Sequence, residues 1–477
     1  MATLPVAPDL LRARADAHPD RLAISLADGS GLTFGEWNRR SDTAAHRLRG
    51  LGVRRGCRVA LIFGDDEWVP YAVAYLGVLK AGGTAVHLGT ALAPAELRRR
   101  LAQTAPDGLV RTRPGRRPTG FTGWTRAAAT LETGPGGPIE HDIQPDDIAD
   151  VLYTSGTTGP AKAFTNPHGT LTFRRGPAGL ARLDGSAPML APMPMGTASS
   201  AMCVGMMPLN APSTVVLCRP DDVGTIGSLV EKHGVATVLV TPWIALRMAN
   251  ARLHERHDLS SVTTLAVASA QLPGAVARAL EAMIPGVTIT SAYAQGEAVP
   301  AVVLATYDPA RPAALGRPAP GTDLRVADPD GNPVPAGDLG EIWLRSAAPK
   351  RLYLDPAANR ETHTDGWTRT RDLGYIGADG DLYLFDRAVD AIPTAAGLLS
   401  SLELEDAVYG VEGVREAAVV GFPSGVRAFI VTEKRGAARE VRAALAAFGV
   451  TPTVRAVAAL PRGVTGKVLK HKLKESR

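Results

Sequence analysis

Residues 148–162 read IADVLYTSGTTGPAK, and both fold and chemistry start there. Ile148 to Tyr153 is an apolar run of strand length. Behind it stand Thr154, Ser155, Gly156, Thr157, Thr158, Gly159, Pro160, Ala161 and Lys162. The glycines let the backbone turn so that successive N–H groups can point at one anion. Ser155, Thr157 and Thr158 add hydroxyl donors, and Lys162 supplies a point charge for a phosphate. The pattern GxxxxGK[ST] is absent, so this is not a Walker loop. A strand followed by a dense hydroxyl cluster and a lysine reads as a phosphate loop rather than a flexible linker.

The chain around the loop alternates strand and helix. Upstream, 58–63 (RVALIF) reads as a buried strand, 69–81 as a helix, 84–88 as a strand and 93–103 as a helix with a basic outer face. That order predicts α/β layers around a largely parallel sheet. The Gly- and Pro-rich stretch 113–138 holds few core residues and is expected to be a surface excursion. Downstream, 235–240 and 264–268 read as strands and 274–283 as a helix. From 315 to 385 short strands sit between Gly, Pro and Asp turns, as in a β-rich subdomain. After Arg387 the sequence is α+β again, with apolar pieces at 417–421 and 428–432 and a helical pattern at 440–448.

Bulk composition bounds the function. The chain has 477 residues, too many for one ordinary core. Its 45% hydrophobic and 21% charged residues fit a soluble globular protein. A net charge of +5, with arginines scattered among acids, argues against a nucleic-acid partner. Cys57, Cys203 and Cys218 show no metal-ligand spacing and no disulfide framework. No apolar run reaches membrane-span length, and the N-terminus is unlike a signal peptide. The reducing cytoplasm is the expected home.

The loop resembles the signature of the adenylate-forming superfamily, usually TSGTTGxPKG. That superfamily includes acyl- and aryl-CoA synthetases, peptide-synthetase adenylation domains and firefly-type luciferases. Its other motifs follow in order. Residues 291–297 (SAYAQGE) resemble YGxTE, with Ala294 for Gly and Gly296 for Thr. Residues 365–375 (DGWTRTRDLGY) match DGWxxTGDLGY, with Arg371 for Gly, and 380–387 (GDLYLFDR) match GxLYxxDR. Residues 460–467 (LPRGVTGK) resemble LPRTxxGK, and 268–273 (ASAQLP) stand where a GGAPL-type turn is usual, without its glycines.

The resemblance implies a fold and a site. A large N-terminal domain, 1–387, of layered α/β sheets with a β-rich subdomain would precede a small mobile α+β domain, 388–477. The phosphate loop, Thr154 to Gly159, and Lys162 would bind ATP. Tyr293 would pack on adenine, Glu297 would help hold Mg²⁺, and Asp372 and Arg387 would bind the ribose. Lys467 would reach the reacting phosphate. Arg371 is a candidate for an added phosphate or substrate contact. Met195, Trp243, Ala294 and Gly296 are candidates for the acid pocket. Met193, Met202, Met206 and Met207 stand near Met195, where the family often has an aromatic and a His. His168 is read as structural.

The implied activity is ATP-dependent adenylation of a small carboxylic acid, aromatic acids included, with release of pyrophosphate. The acyl group would then pass to CoA, a carrier-protein thiol or an amine. After Arg387 the chain runs AVDAIPTAAGLLSSLELE, so the usual pivot residue is Val389, a glycine pair is Ala395-Ala396 and an Asn is Leu398. These changes fall on the thiol-transfer side. They leave open a second reading, in which a relative activates nitrite with ATP and joins it to an arylamine. A third is a non-catalytic scaffold.

Overall fold

The computed structural model describes residues 5–113, 115–134, 136–154, 156, 159–173, 187–205, 207–210 and 213–475. It divides into two units. One holds 1–154, 161–239 and 348–359; the other holds 155–160, 240–347 and 360–477.

In the first unit a six-stranded sheet runs Trp124–Ala127, Gly108–Arg111, Arg58–Phe63, Thr84–Gly89, Ile148–Tyr153, Ala163–Pro167. All neighbours are parallel except the last pair. Arg58–Phe63 is buried on both faces beyond its first residue, which is why it reads as a continuous apolar run. Helix Phe34–Gly50 starts at a capping box, with Thr33 accepting from the Glu36 amide and Glu36 reaching back to the Thr33 amide. It packs on Trp68–Lys80, where Trp37 donates to the Ala72 carbonyl at 2.9 Å. A second set of strands, Gly31–Thr33, Leu22–Leu26, Val215–Cys218, Met189–Pro192 and Thr237–Val240, completes this unit's sheets.

The Gly- and Pro-rich stretch is not wholly an excursion. It carries the strand Trp124–Ala127 and the short helix Ala128–Leu131. Among the described residues the strand pairs only with Gly108–Arg111, and Trp124 lies so close that a Cβ on Gly108 would meet its ring at about 2.0 Å. A four-residue edge strand offers too little periodicity to stand out from the turns around it.

In the second unit Thr264–Ala268 and Thr288–Tyr293 are parallel. The sheet then continues antiparallel through Val303–Thr306, Ala314–Pro318, Leu382–Arg387, Trp367–Ile376, Gly340–Ser346 and Thr322–Ala327. This is the expected β-rich region. Its core is Ala298, Val303, Leu315, Val326, Ile342, Leu344 and Leu382. Register matters most at one place: Asp372 pairs directly with Arg387.

The tail folds on Val414–Phe422, Gly425–Thr432 and Thr453–Ala456, with helices Ser401–Tyr409 and Ala437–Ala446 packed on a core of Leu404, Val408, Val419, Ile430, Val441 and Leu445. Ser400 caps the first helix by accepting from the Glu403 amide at 3.1 Å. A buried network joins this helix to the strand end. Asp386 accepts from the Ser401 amide at 2.5 Å, and Lys470 donates to Ser401 Oγ at 2.6 Å and pairs with Glu405 at 2.8 Å. Among the described residues no helix is long and apolar enough to cross a membrane.

Candidate active site

The site grows from the Asp372–Arg387 register pair. Asp372 is buried, and its carboxylate is held from several sides. Tyr293, the last residue of Thr288–Tyr293, donates its hydroxyl to Oδ2 at 2.9 Å. Gln295 donates its amide to the same oxygen at 2.8 Å and to the Thr370 carbonyl at 2.7 Å. Arg387 Nε lies 3.7 Å from Oδ1. Burial raises the Asp372 pKa, opposed by the charges of Arg387 and Lys467 and by the two hydrogen bonds. The Tyr293 phenol is pushed well above 10.0 by burial and then by the Asp372 charge, so it stays a donor.

Lys467 joins this group. Burial lowers its pKa, and the neighbouring Arg387 cation lowers it further, while Asp372 and Glu297 raise it. Tyr293, Glu297, Asp372, Arg387 and Lys467 are thus one electrostatic cluster inside one unit. Two residues before the lysine in sequence, the Thr465 hydroxyl is buried with no hydrogen-bond partner among the described residues. Glu297 brings a single carboxylate, and among the described residues no group of three His, Cys, Asp or Glu side chains is placed to hold a metal. That donor set suits Mg²⁺ carried mainly on phosphate oxygens and water.

Other expected residues are placed as follows. In the first unit, Thr154 and Lys162 close the base of the loop: the Thr154 amide donates to the Lys162 carbonyl, and the Lys162 amide to Thr154 Oγ1, both at 3.0 Å. The Lys162 ammonium lies 5.6 Å from the Tyr353 ring centre. Gly156 has φ +63°. Ser155, Thr157, Thr158 and Met206 lie outside the described residues. Met193 and Met195 are buried, and the Met195 amide donates to Asp65 Oδ1 at 2.6 Å. In the second unit Ala294 is exposed and Gly296 half-buried in the turn after Tyr293. Trp243 has a specific neighbour: a Cβ on Gly466 would come within 2.7 Å of its ring.

Two losses of glycine are resolved by strain. Ser269 and Arg371 both hold positive φ, +83° and +59°, the conformation a glycine takes freely. The turn shapes survive without the residue that eases them. The Arg371 side chain pairs with Glu361 at 3.4 Å, with both groups exposed. His168 is structural as expected: it is buried, and its Nδ1 accepts from the Ala7 amide at 3.4 Å.

Gln295 was not singled out by sequence. It occupies the variable position between Tyr293 and Glu297, where only its polarity hints at a role. Arg462 was named only as part of a motif, yet it braces the lysine turn by donating to the Gly466 carbonyl at 2.6 Å and pairing with Glu416 at 2.5 Å.

Residues 11–354 match the family model described as AMP-binding enzyme. A feruloyl-CoA synthase from Amycolatopsis sp. is 30% identical over 490 residues, covering 97% of each chain. Among solved structures, the anthranilate CoA ligase AuaEII in complex with anthranoyl-AMP aligns with a TM-score of 0.87 at 23% identity, over 100% of this chain and 98% of that one. ATP-bound MatB from Rhodopseudomonas palustris aligns with a TM-score of 0.86 at 25% identity, over 99% of each. The family match stops at 354, before Asp372, Arg387 and Lys467, whose assignment rests on their own motifs and geometry.

Proposed function

The chain belongs to the AMP-binding enzyme family and is an ATP-dependent, AMP-forming ligase, and on that footing we propose that it adenylates a small aromatic carboxylic acid and transfers the acyl group to the thiol of CoA. One observation carries the site assignment. Asp372, fixed by Tyr293 and Gln295, stands opposite Arg387 with Lys467 in the same cluster.

In the first step a carboxylate oxygen of the acid attacks the α-phosphorus of ATP, and the bond to pyrophosphate breaks. Asp372 accepts from the ribose hydroxyls and Arg387 donates to the ribose. The Lys467 ammonium lies beside the charge that builds on the phosphate, where a fixed cation contributes most. By the family resemblance, Lys162 and the phosphate loop would bind the outer phosphates. Glu297 would help hold a Mg²⁺ ion, which supplies charge neutralisation on the phosphates. In the second step sulfur attacks the acyl carbon, and AMP departs with the oxygen that linked them.

One point supports this acid and this acceptor, and a second bears only on the altered hairpin. Two of the relatives named above, the feruloyl-CoA synthase and the anthranilate CoA ligase, carry an aromatic acid and CoA in their names. The hairpin Ile392–Thr394 with Gly397–Leu399 also forms with alanine at 395 and 396. In that hairpin only Gly397 needs a positive φ, +124°, so losing the glycine pair leaves the turn intact.

The test is AMP and pyrophosphate release with Mg·ATP, CoA and a panel of acids that includes ferulic and anthranilic acids. One panel member should give both products and a thioester detectable by mass. Lys467→Ala should lower pyrophosphate release by about 100-fold or more. A parallel arm supplies nitrite and an arylamine. Turnover there, with none on any carboxylic acid, would replace this reading by the nitrite one.

A further inference from the structure

We propose that Trp243 is a positioning residue for adenylation: its indole face is the seat on which the Lys467 turn docks. This rests on Lys467 being the catalytic lysine.

The seat is rigid. Trp243 stands in the first turn of helix Pro242–Asn250, where Thr241 accepts from the Ile244 amide at 3.3 Å and Pro242 presets the backbone. The turn is rigid too. The Gly463 amide donates to the Lys467 carbonyl and the Gly466 amide to the Gly463 carbonyl, both at 2.9 Å. Arg462 clamps the Gly466 carbonyl from the side.

The two parts meet at the closest approach a chain allows. Gly466 has φ +81°, and a Cβ there would lie 2.7 Å from Trp243 Cε3 and 2.8 Å from Cβ and Cδ2. A side chain at 466 would therefore collide with the indole, and only glycine fits. Two guanidinium groups flank the indole, Arg247 at 4.9 Å and Arg462 at 6.0 Å from the ring centre. Lys467 is the next residue after the contact. A turn pinned one residue before the ammonium fixes where that ammonium starts, and small misplacements of a reacting group are expensive. Trp243 was expected among the residues lining the acid pocket; its contact with Gly466 gives it a second role, toward the lysine.

Two readouts test this in the full-length enzyme. The first needs no substrate. Trypsin cleavage after Arg462 and Lys467 should be slow in the wild type and at least about tenfold faster in Trp243→Ala, with Trp243→Phe close to wild type. The second is ATP–pyrophosphate exchange with the best acid of the panel. Trp243→Ala should lose about 10- to 100-fold in kcat, with KM for ATP and the melting temperature little changed, and Phe should restore most of it.

A double-mutant cycle covers the case in which Trp243→Ala also loosens the helix. Gly466→Ala should slow exchange strongly in the wild type and much less in Trp243→Ala, where the ring is gone. Backbone strain at 466 is common to both backgrounds and cancels. Equal effects of Gly466→Ala in both, with unchanged trypsin protection in Trp243→Ala, would overturn the proposal. Full exchange activity in Lys467→Ala would instead overturn the reading of the lysine, and trypsin would still report on docking.

Discussion

Asp372 is buried and accepts hydrogen bonds from Tyr293 and Gln295, yet burial still moves its pKa above 3.8. A carboxyl whose folded pKa exceeds its unfolded one favours the fold when protonated and opposes it when charged, so its ionisation is a cost to stability at neutral pH. Asp372→Asn should therefore melt at or above the wild-type temperature at pH 7, while ATP–pyrophosphate exchange is lost. A clear fall in melting temperature would mean that the charge holds the site together. Asp372 and Arg387 were legible in the sequence because each sits in a motif of nearly full length. Gln295 was not, since a variable position carries no signal until a partner appears in space. Arg371 and Ser269 are the converse: the sequence marks missing glycines, but only the backbone shows that their φ angles stay positive.

Between elements, His168 works as a joint. It opens the short helix His168–Thr172 and accepts, through Nδ1, from the amide of Ala7, the first residue of helix Ala7–Ala17. A protonated imidazole cannot accept, and burial lowers its pKa from 6.5 to about 4. With the folded value below the unfolded one, the unfolded chain takes up the proton first. Stability is then full above the unfolded pKa of 6.5 and is lost as pH falls toward about 4. The loss is on the order of 3 kcal/mol at most, because each tenfold fall in proton affinity is worth about 1.4 kcal/mol. Urea melts at pH 7.5 and 4.5 should show it, and His168→Gln should flatten the difference. A pH dependence unchanged by His168→Gln would place the acid sensitivity elsewhere. Long elements such as Arg58–Phe63 announced themselves by pattern, whereas Trp124–Ala127 was hidden because its order comes from a tertiary contact, the ring over Gly108.

Across the whole molecule, two chemical steps make different demands on one chain. On the proposed reading, adenylation uses the Lys467 ammonium beside Asp372 and Arg387. Transfer needs a thiol at the acyl carbon and has no use for that ammonium. We expect the tail after Arg387 to move between the steps, pivoting near Val389, which is 54% exposed. There the Ala388 amide is tied to the Arg371 carbonyl, and Lys474 reaches the Val389 carbonyl at 3.1 Å. Proline at 389 fixes φ near −65° and restricts Ala388 as well, so it stiffens the pivot turn, which closes on the Arg387 carbonyl through the Asp390 amide at 2.9 Å, while leaving every nucleotide side chain in place. Opposite phenotypes follow. Lys467→Ala should lose pyrophosphate exchange yet form thioester when the acyl-adenylate is supplied. Val389→Pro should keep exchange within about threefold and slow thioester formation by about tenfold or more. If Val389→Pro forms thioester at the wild-type rate, the acyl group reaches its acceptor without this pivot, and the tail serves adenylation alone.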